Sequence, residues 1–359
     1  MRKDIRRTSM QAFVMTELGQ GGLANVEDPQ PQDGEVLVRP VYAGLCGTDI
    51  HLFNEGTMLD PADLPLVLGH EFVGEVAGGD ASASASAGLS VGDLVVAEPL
   101  VPCGTCEQCL AGRFNLCSDW EHLGITRHGA WADSIAAPVR RLTKVPSGVS
   151  ARDAALAEPL ACAVNFVLDR GRLAPGDTVA ILGAGPVGLL CAAVARGAGA
   201  RTVIVSEPNE GRRKRALLVG ADVVLNPLGE DLEAVIERAT EGRGADLIVE
   251  VTGVGGAMAQ AITAARPGST VVLAGLNSGA DVPIKTNAIA LKELDIRGGF
   301  ASRAAMGRAL ELLADGKLRI DPLVTDEFSW AEAEAAMAKV ASDPDTCKIL
   351  LTAPNHIQK

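Results

Sequence analysis

The chain is short of positive charge: 32 Lys and Arg stand against 45 Asp and Glu, a formal net charge of −13. A surface of that sign repels phosphate backbones and anionic bilayers, which excludes nucleic acid and membrane as expected partners and leaves small solutes. A secretory signal is also lacking. MRKDIRRTS is basic, but no apolar stretch follows it, so residues 1 to 9 are read as an extension of a cytoplasmic protein. Nor is there an unbroken apolar run of membrane length. Thr178 to Ala195 carries no charge, yet Pro186 and three glycines divide it into a short strand and the start of a helix. Aromatics are scarce at 3% while Gly is abundant at 40 residues, a texture that suits Val, Ile and Leu strands packed under Ala-rich helices.

With 359 residues, 47% of them apolar, the chain exceeds the length at which one core stops growing, so two domains are expected. Residues 10 to 100 read as short alternating strands with turn punctuation, as in EVLVRPVYAG and EFVGEVAGG. ASASASAG, 81 to 88, reads as a solvated surface turn. The first chemistry lies between Val41 and Glu71. Cys46 as thiolate and His70 as neutral imidazole form the ligand pairing that zinc prefers, and Glu71 stands beside them. Either residue alone would be read as core. Together they sit in glycine-bracketed turns, Gly44 to Gly47 and Gly69, where backbone can crowd an ion. Thr48 and His51 are spaced to line up a proton path, and Asp49 is placed to orient a ligand histidine.

Cys103, Cys106, Cys109 and Cys117 follow at C-x2-C-x2-C-x7-C spacing, which can close a tetrahedral shell around a structural zinc. Two disulfides are the reading that a reducing compartment disfavours. An iron–sulfur cluster and a nucleic-acid-binding zinc ribbon are the others, the ribbon opposed by Glu107, Asp119 and a single arginine, Arg113. Further on, VPSGVSARDAALAEPLACAV leads into a helix in which Glu158 or Cys162 is available to complete the site begun by Cys46 and His70.

From Gly176 strands and helices alternate: TVAIL, RTVIVSE, ADVVLN, ADLIVEV, STVVLAG and LDIRGGF are the strands of a doubly wound parallel sheet. The first turn, Gly183-Ala184-Gly185-Pro186-Val187-Gly188, is a G-x-G-x-x-G whose glycines admit a pyrophosphate to a helix N-terminus. Glu207 closes the next strand nineteen positions after Gly188, where the dinucleotide fingerprint carries its ribose-binding acid. Arg212 and Arg213 follow, residues able either to grip the phosphate of NADP or to line a basic helix face. The last segment reads as a helix (AMGRALELLADG), a short strand (LRIDPLV), a helix around WAEAEAAMAKV, and the strand CKILLT, returning to the first domain.

GLCGTDIH, GHE, the four-cysteine lobe, EPLA and GAGPVG, in that order, make the chain resemble the zinc-dependent medium-chain alcohol and polyol dehydrogenases, from about Met10 to Leu351. It is most similar to the butanediol and sorbitol branch. EHLGITRHGAWADSI replaces the glycine-richer stretch of some butanediol enzymes. The resemblance implies a Rossmann domain, residues 161–303, and a mainly antiparallel, GroES-like catalytic domain, residues 1–160 and 304–359. It implies one structural zinc and one catalytic zinc, the latter held by Cys46, His70 and a carboxylate, with Glu71 and Glu158 both eligible and Glu158 favoured in the resting enzyme. Thr48 and His51 would relay the proton, and Arg212 resembles an arginine that packs on adenine. The expected activity is NAD-dependent oxidation of a secondary alcohol, a vicinal diol, polyol or cyclitol, to a ketone, by a homodimer or homotetramer. L-Threonine 3-dehydrogenase, a sugar C1 dehydrogenase and a catalytically silent metal-binding protein are the alternatives.

Overall fold

A computed structural model of the protein describes residues 9–277, 279 and 281–354, so residues 1–8 of the expected extension lie outside the described residues. The chain divides into two compact units, Met1–Glu158 with Val324–Lys359, and Pro159–Leu323.

The first unit is mainly antiparallel. A seven-stranded sheet runs Leu142–Lys144, Leu94–Ala97, Glu71–Gly79, Glu35–Leu45, Lys348–Thr352 and Val324–Ser329, with Ile135–Pro138 paired beside Glu35–Leu45. Alternation explains its central strand: Val36 and Val38 are fully buried and Arg39 is exposed, as one face meets the core and the other water. Ser9–Glu17, Gln20–Glu27 and Leu66–Val67 form a separate three-stranded sheet. The returning strand Lys348–Thr352 pairs antiparallel with the end of Glu35–Leu45, Ile349 opposite Leu45. That pairing carries a distant part of the chain to the turn that holds Cys46.

The second unit contains a six-stranded parallel sheet in the order Val223–Leu225, Thr202–Ser206, Thr178–Leu182, Ala245–Glu250, Ala265–Leu273, Asp295–Gly298. Numbered along the chain this is 3-2-1-4-5-6, the doubly wound dinucleotide-binding order. Every residue of Thr178–Leu182 is buried, as a strand covered on both faces requires. Helix Pro186–Gly197 opens with proline in its first turn and buries all of Gly188–Ala195. A helix apolar all round belongs inside a domain. The uncharged run is thus a buried strand and helix, and among the described residues no helix is long and apolar enough to cross a membrane.

Three local expectations need correction. ASASASAG is a short helix, Ala81–Ser86: Asp80 caps it by accepting from Ser82 N and Ala83 N, and no residue of it is buried. LRIDPLV is not a strand. Pro322, which has no N–H to give a ladder, sits in a 3-10 turn, Asp321–Leu323, and the strand begins at Val324. The chain therefore rejoins the first unit at Val324 and not at 304, with helix Met306–Ala314 in the second unit.

Candidate active site and metal centres

Cys46 is the N-cap of helix Gly47–Glu55, which places its sulfur at the positive end of a helix. Asp49, in the first turn and completely buried, accepts from Cys46 N through Oδ2 at 2.9 Å and faces His70 Nδ1 through Oδ1 at 3.1 Å. A carboxylate only accepts, so His70 donates from Nδ1 and keeps Nε2 as a lone-pair donor for a metal. Burial alone would lower the pKa of His70; the Asp49 carboxylate, with Cys46, outweighs it and raises the value well above the ordinary one, so a metal binding at Nε2 would displace a proton there. Cys46, His70 and Glu71 offer ligand atoms within 4.8 Å of one another. Sulfur, nitrogen and oxygen from three residues are the donor set of a catalytic zinc, which keeps a fourth position open.

The turn bearing His70 has no room for side chains. Gly69 adopts φ +94°, and a Cβ there would lie 2.2 Å from the Trp131 ring; a Cβ on Gly44 would lie 2.1 Å from Glu71 Oε2. Ala130 N and Trp131 N donate to Gly69 O and Leu68 O at 2.8 and 3.0 Å, so part of EHLGITRHGAWADSI holds this turn in shape. His122, in the same stretch, sets its ring edge-on to His70 with centroids 5.6 Å apart. Burial, then the neighbouring His70, pushes its pKa down to about 3, so it is a neutral neighbour.

Glu71 has a partner that sequence reasoning missed. Lys348 Nζ donates to Glu71 Oε1 and Oε2 at 3.0 and 2.7 Å and to Leu45 O at 3.0 Å, using all three protons. Both side chains are only 2% exposed. The available signal was a lysine within the apolar strand CKILLT. Glu158 is not in the group with Cys46 and His70; it lies half-buried in the first turn of helix Ala157–Val164. Thr48 Oγ1 stands 3.7 Å from Cys46 Sγ. His51, three residues on along the same helix, is exposed, with Nδ1 3.1 Å from Glu55 Oε1.

Cys103, Cys106, Cys109 and Cys117 converge. Sulfur–sulfur separations of 3.5 Å (Cys103–Cys117), 3.9 Å (Cys106–Cys117) and 4.0 Å (Cys103–Cys109) bracket the edge of about 3.8 Å expected for a tetrahedron with metal–sulfur bonds of ~2.3 Å. They are far beyond disulfide length, and all four cysteines are free. Backbone N–H groups of Cys103, Thr105, Cys106 and Asp119 point at the sulfurs, as they would at thiolates. N–H donation from Cys109 and Ser118 draws the Cys106 thiol down to about 6, whereas burial pushes Cys109 up to about 12. Four sulfurs with no vacancy fit a structural zinc. A cavity of about 570 Å³ beside Val14, Leu66, Arg127 and His128 contains none of these ligands and is not assigned to the chemistry.

In the second unit Gly183 adopts φ +106°, and a Cβ on Gly188 would fall 2.0 Å from Gly183 O, so strand and helix meet only through glycine. Gly185 is the N-cap of the helix that Pro186 and Val187 begin, and a Cβ there would meet nothing within 4 Å: the cradle is open where a pyrophosphate would approach. Glu207, 5% exposed, accepts from Ala184 N at 2.8 Å through Oε2 and from Asn209 N at 2.9 Å through Oε1. Arg213 donates to the carbonyls of Glu207 and Pro208 at 2.8 and 2.7 Å, which engages its guanidinium with backbone. Arg212 lies in the first turn of helix Glu210–Val219, its N–H bonded to Asn209 Oδ1.

Residues 32–147 match the alcohol dehydrogenase GroES-like domain and residues 186–315 match the zinc-binding dehydrogenase family. The chain is 33% identical to sorbitol dehydrogenase of Bacillus subtilis over 97% of its own length and 98% of that protein. It is 36% identical to L-threonine 3-dehydrogenase of Pyrococcus horikoshii, over 89% of its length and 91% of that protein. Among solved structures, a zinc-binding dehydrogenase of Sinorhizobium meliloti bound to NADP superposes with a TM-score of 0.86 at 33% identity, covering 96% of this chain and all of that one.

Proposed function

The chain belongs to the zinc-binding dehydrogenase family, and from that premise we propose that it oxidises a secondary alcohol of a diol, polyol or cyclitol to a ketone, with NAD taking the hydride. The observation that carries this reading is the trio Cys46, His70 and Glu71 with its imidazole fixed by Asp49. Bound zinc supplies Lewis acidity that favours ionisation of an alcohol near neutral pH, and the nicotinamide supplies the hydride acceptor. The residues do the rest. Asp49 keeps the proton on His70 Nδ1, and Lys348 balances the Glu71 carboxylate. The Thr48 hydroxyl would accept the alcohol proton while giving up its own to a ribose hydroxyl or water, from which exposed His51 would deliver it to solvent.

Glu207 supports NAD over NADP, although a relative binds NADP. A buried carboxylate beside the glycine turn can accept from ribose hydroxyls and repels a phosphate in their place, and Arg213 is already engaged by carbonyls. Four cysteines gathered as a metal-type cluster, not as two disulfides, support a reducing, cytoplasmic setting. A homo-oligomer, dimer or tetramer, completes the proposal.

The similarity to an L-threonine 3-dehydrogenase makes threonine the second reading. A panel of butanediols, pentitols, hexitols, inositols and threonine, assayed with NAD for NADH formation, separates them. A diol or polyol should give the highest kcat/KM; threonine ahead of every polyol would overturn the first reading, and no NADH from any would leave the silent metal-binding protein.

A further inference from the structure

The second unit holds one segment whose backbone is unusual at several successive positions. Ala301, Arg303 and Ala304 adopt φ of 51°, 46° and 60°, a region that residues other than glycine rarely enter. They follow strand Asp295–Gly298, on the carboxyl edge of the parallel sheet. Such conformations persist only where surrounding groups over-determine them, and they cluster at ligand sites.

The start of this segment, through Ala301, is held from a π-helical turn, Asn165–Arg170, itself a rare element that recurs at functional sites. Asn165 is 1% exposed, and its Nδ2 donates to two consecutive carbonyls, Ala301 O at 2.8 Å and Phe300 O at 3.4 Å. Arg170 Nε donates to Gly298 O at 2.8 Å. Phe166 lies so close beneath Gly299 that a Cβ there would come within 2.8 Å of its ring. The π turn therefore grips the chain at Gly298, Gly299, Phe300 and Ala301. Asn165 Oδ1 has no hydrogen-bond partner among the described residues, so the amide is buried for the sake of its donors. Phe300, an apolar ring, remains 43% exposed at the start of the held loop.

In a doubly wound sheet the first three strands take one nucleotide of a dinucleotide and the last three take the other, both at the strands' carboxyl ends. Glu207 and the glycine turn mark the first half as the adenosine side, so the Phe300–Ala304 loop edges the nicotinamide side. We propose that Asn165 is a positioning residue for NAD: its amide holds the Phe300–Ala304 loop in the shape that the nicotinamide half of the cofactor meets. This rests on the NAD-dependent reading above.

The test is cofactor binding to the intact, zinc-loaded protein without substrate, by calorimetry, for NAD and for ADP-ribose, which lacks the nicotinamide. Asn165→Leu removes both donors at similar volume. It should weaken NAD at least about tenfold, as lost preorganisation does, and leave ADP-ribose within about twofold. Asn165→His, whose Nδ1 stands as many bonds from Cα as the amide nitrogen, should recover part of the NAD affinity. If Asn165→Leu does not fold, Arg170→Met removes a second grip on the same segment, at Gly298 O, without emptying a fully buried site, and should show the same selective loss. Equal weakening of both ligands, or unchanged NAD affinity in every variant, overturns the proposal. Wild-type protein that binds ADP-ribose but not NAD also overturns it, whereas wild-type protein that binds neither overturns the dehydrogenase reading itself.

Discussion

Replacing Lys348 by Met should be among the most damaging single changes in the first unit. The ammonium is 2% exposed and makes three hydrogen bonds, two to Glu71 and one to Leu45 O. Burial by itself would lower the lysine pKa; Glu71, then Cys46, more than offset it and raise it above the ordinary value, so the lysine keeps its proton. Methionine has similar length and no donor. It would leave a buried carboxylate unpaired and a buried carbonyl without its partner. Removing one member of a buried ion pair costs about 3–5 kcal/mol, because the remaining charge keeps its desolvation penalty and loses its compensation. At ~2–4 °C per kcal/mol for a domain of this size, the melting temperature should fall by roughly 6–20 °C.

Zinc sharpens the expectation. Glu71 lies in one group with Cys46 and His70, so a bound dication supplies part of the positive charge that Lys348 withdraws. The loss should therefore be larger in metal-stripped protein than in zinc-loaded protein. Glu71→Gln combined with Lys348→Met should recover most of it, since a neutral pair removes the stranded charge. The assay is thermal and urea unfolding of the single and double variants, each with and without chelator. A loss below about 1 kcal/mol in metal-stripped Lys348→Met, or a double variant no better than the single, would refute the argument that the pair is buried, ionised and mutually dependent.

Elemental analysis should find two zinc ions per chain; one or none would count against the pairing of a three-residue site with a four-cysteine site. Cys46→Ser should abolish turnover with the fold intact, whereas Cys109→Ser should lower thermal stability, because a closed site contributes folding energy. Activity loss in both at unchanged stability would contradict that division. Glu71→Gln should lose catalytic zinc while Glu158→Gln keeps it, since Glu71 is the carboxylate grouped with Cys46 and His70; the reverse result would give the ligand role to Glu158. Catalytic efficiency with NAD should exceed that with NADP by on the order of a hundredfold, and Glu207→Ala should narrow the gap mainly by weakening NAD. Equal efficiencies in the wild-type protein would remove Glu207 from that role.

The parallel sheet was legible because its strands announce themselves locally. TVAIL, VIVS and LIVE are short β-branched runs bounded by turns, and G-x-G-x-x-G followed by Glu207 orders the first of them. What escaped was settled by contacts too local or too distant for periodicity. Asp80 turns an Ala-Ser repeat into a helix by satisfying two N–H groups, and Ser84 and Ser86 return their hydroxyls to carbonyls four residues back. In LRIDPLV, Ile320 and Leu323 are buried without a ladder, so apolar alternation was present and strand pairing was not.

The site divides along the same line. Four cysteines within one loop can be read as a ligand set because the chain itself keeps them near one another, and the short path from Cys46 to His70 and Glu71 does the same for the second group. Lys348 is separated from Glu71 by 277 positions, and only the pairing of Lys348–Thr352 with Glu35–Leu45 brings it there. Its presence still had a physical trace. A lysine in the middle of CKILL cannot be buried alone, since an isolated ammonium in a core would give up its proton, and every residue of this strand is buried. Some acid elsewhere had to answer it, and the candidate acids of an apolar site are few: Glu71 follows a metal-type histidine and opens a strand of the same sheet. A buried charge in a strand is thus evidence about its partner, which is how the balancing half of a metal site can be sought at a distance that spacing motifs do not reach.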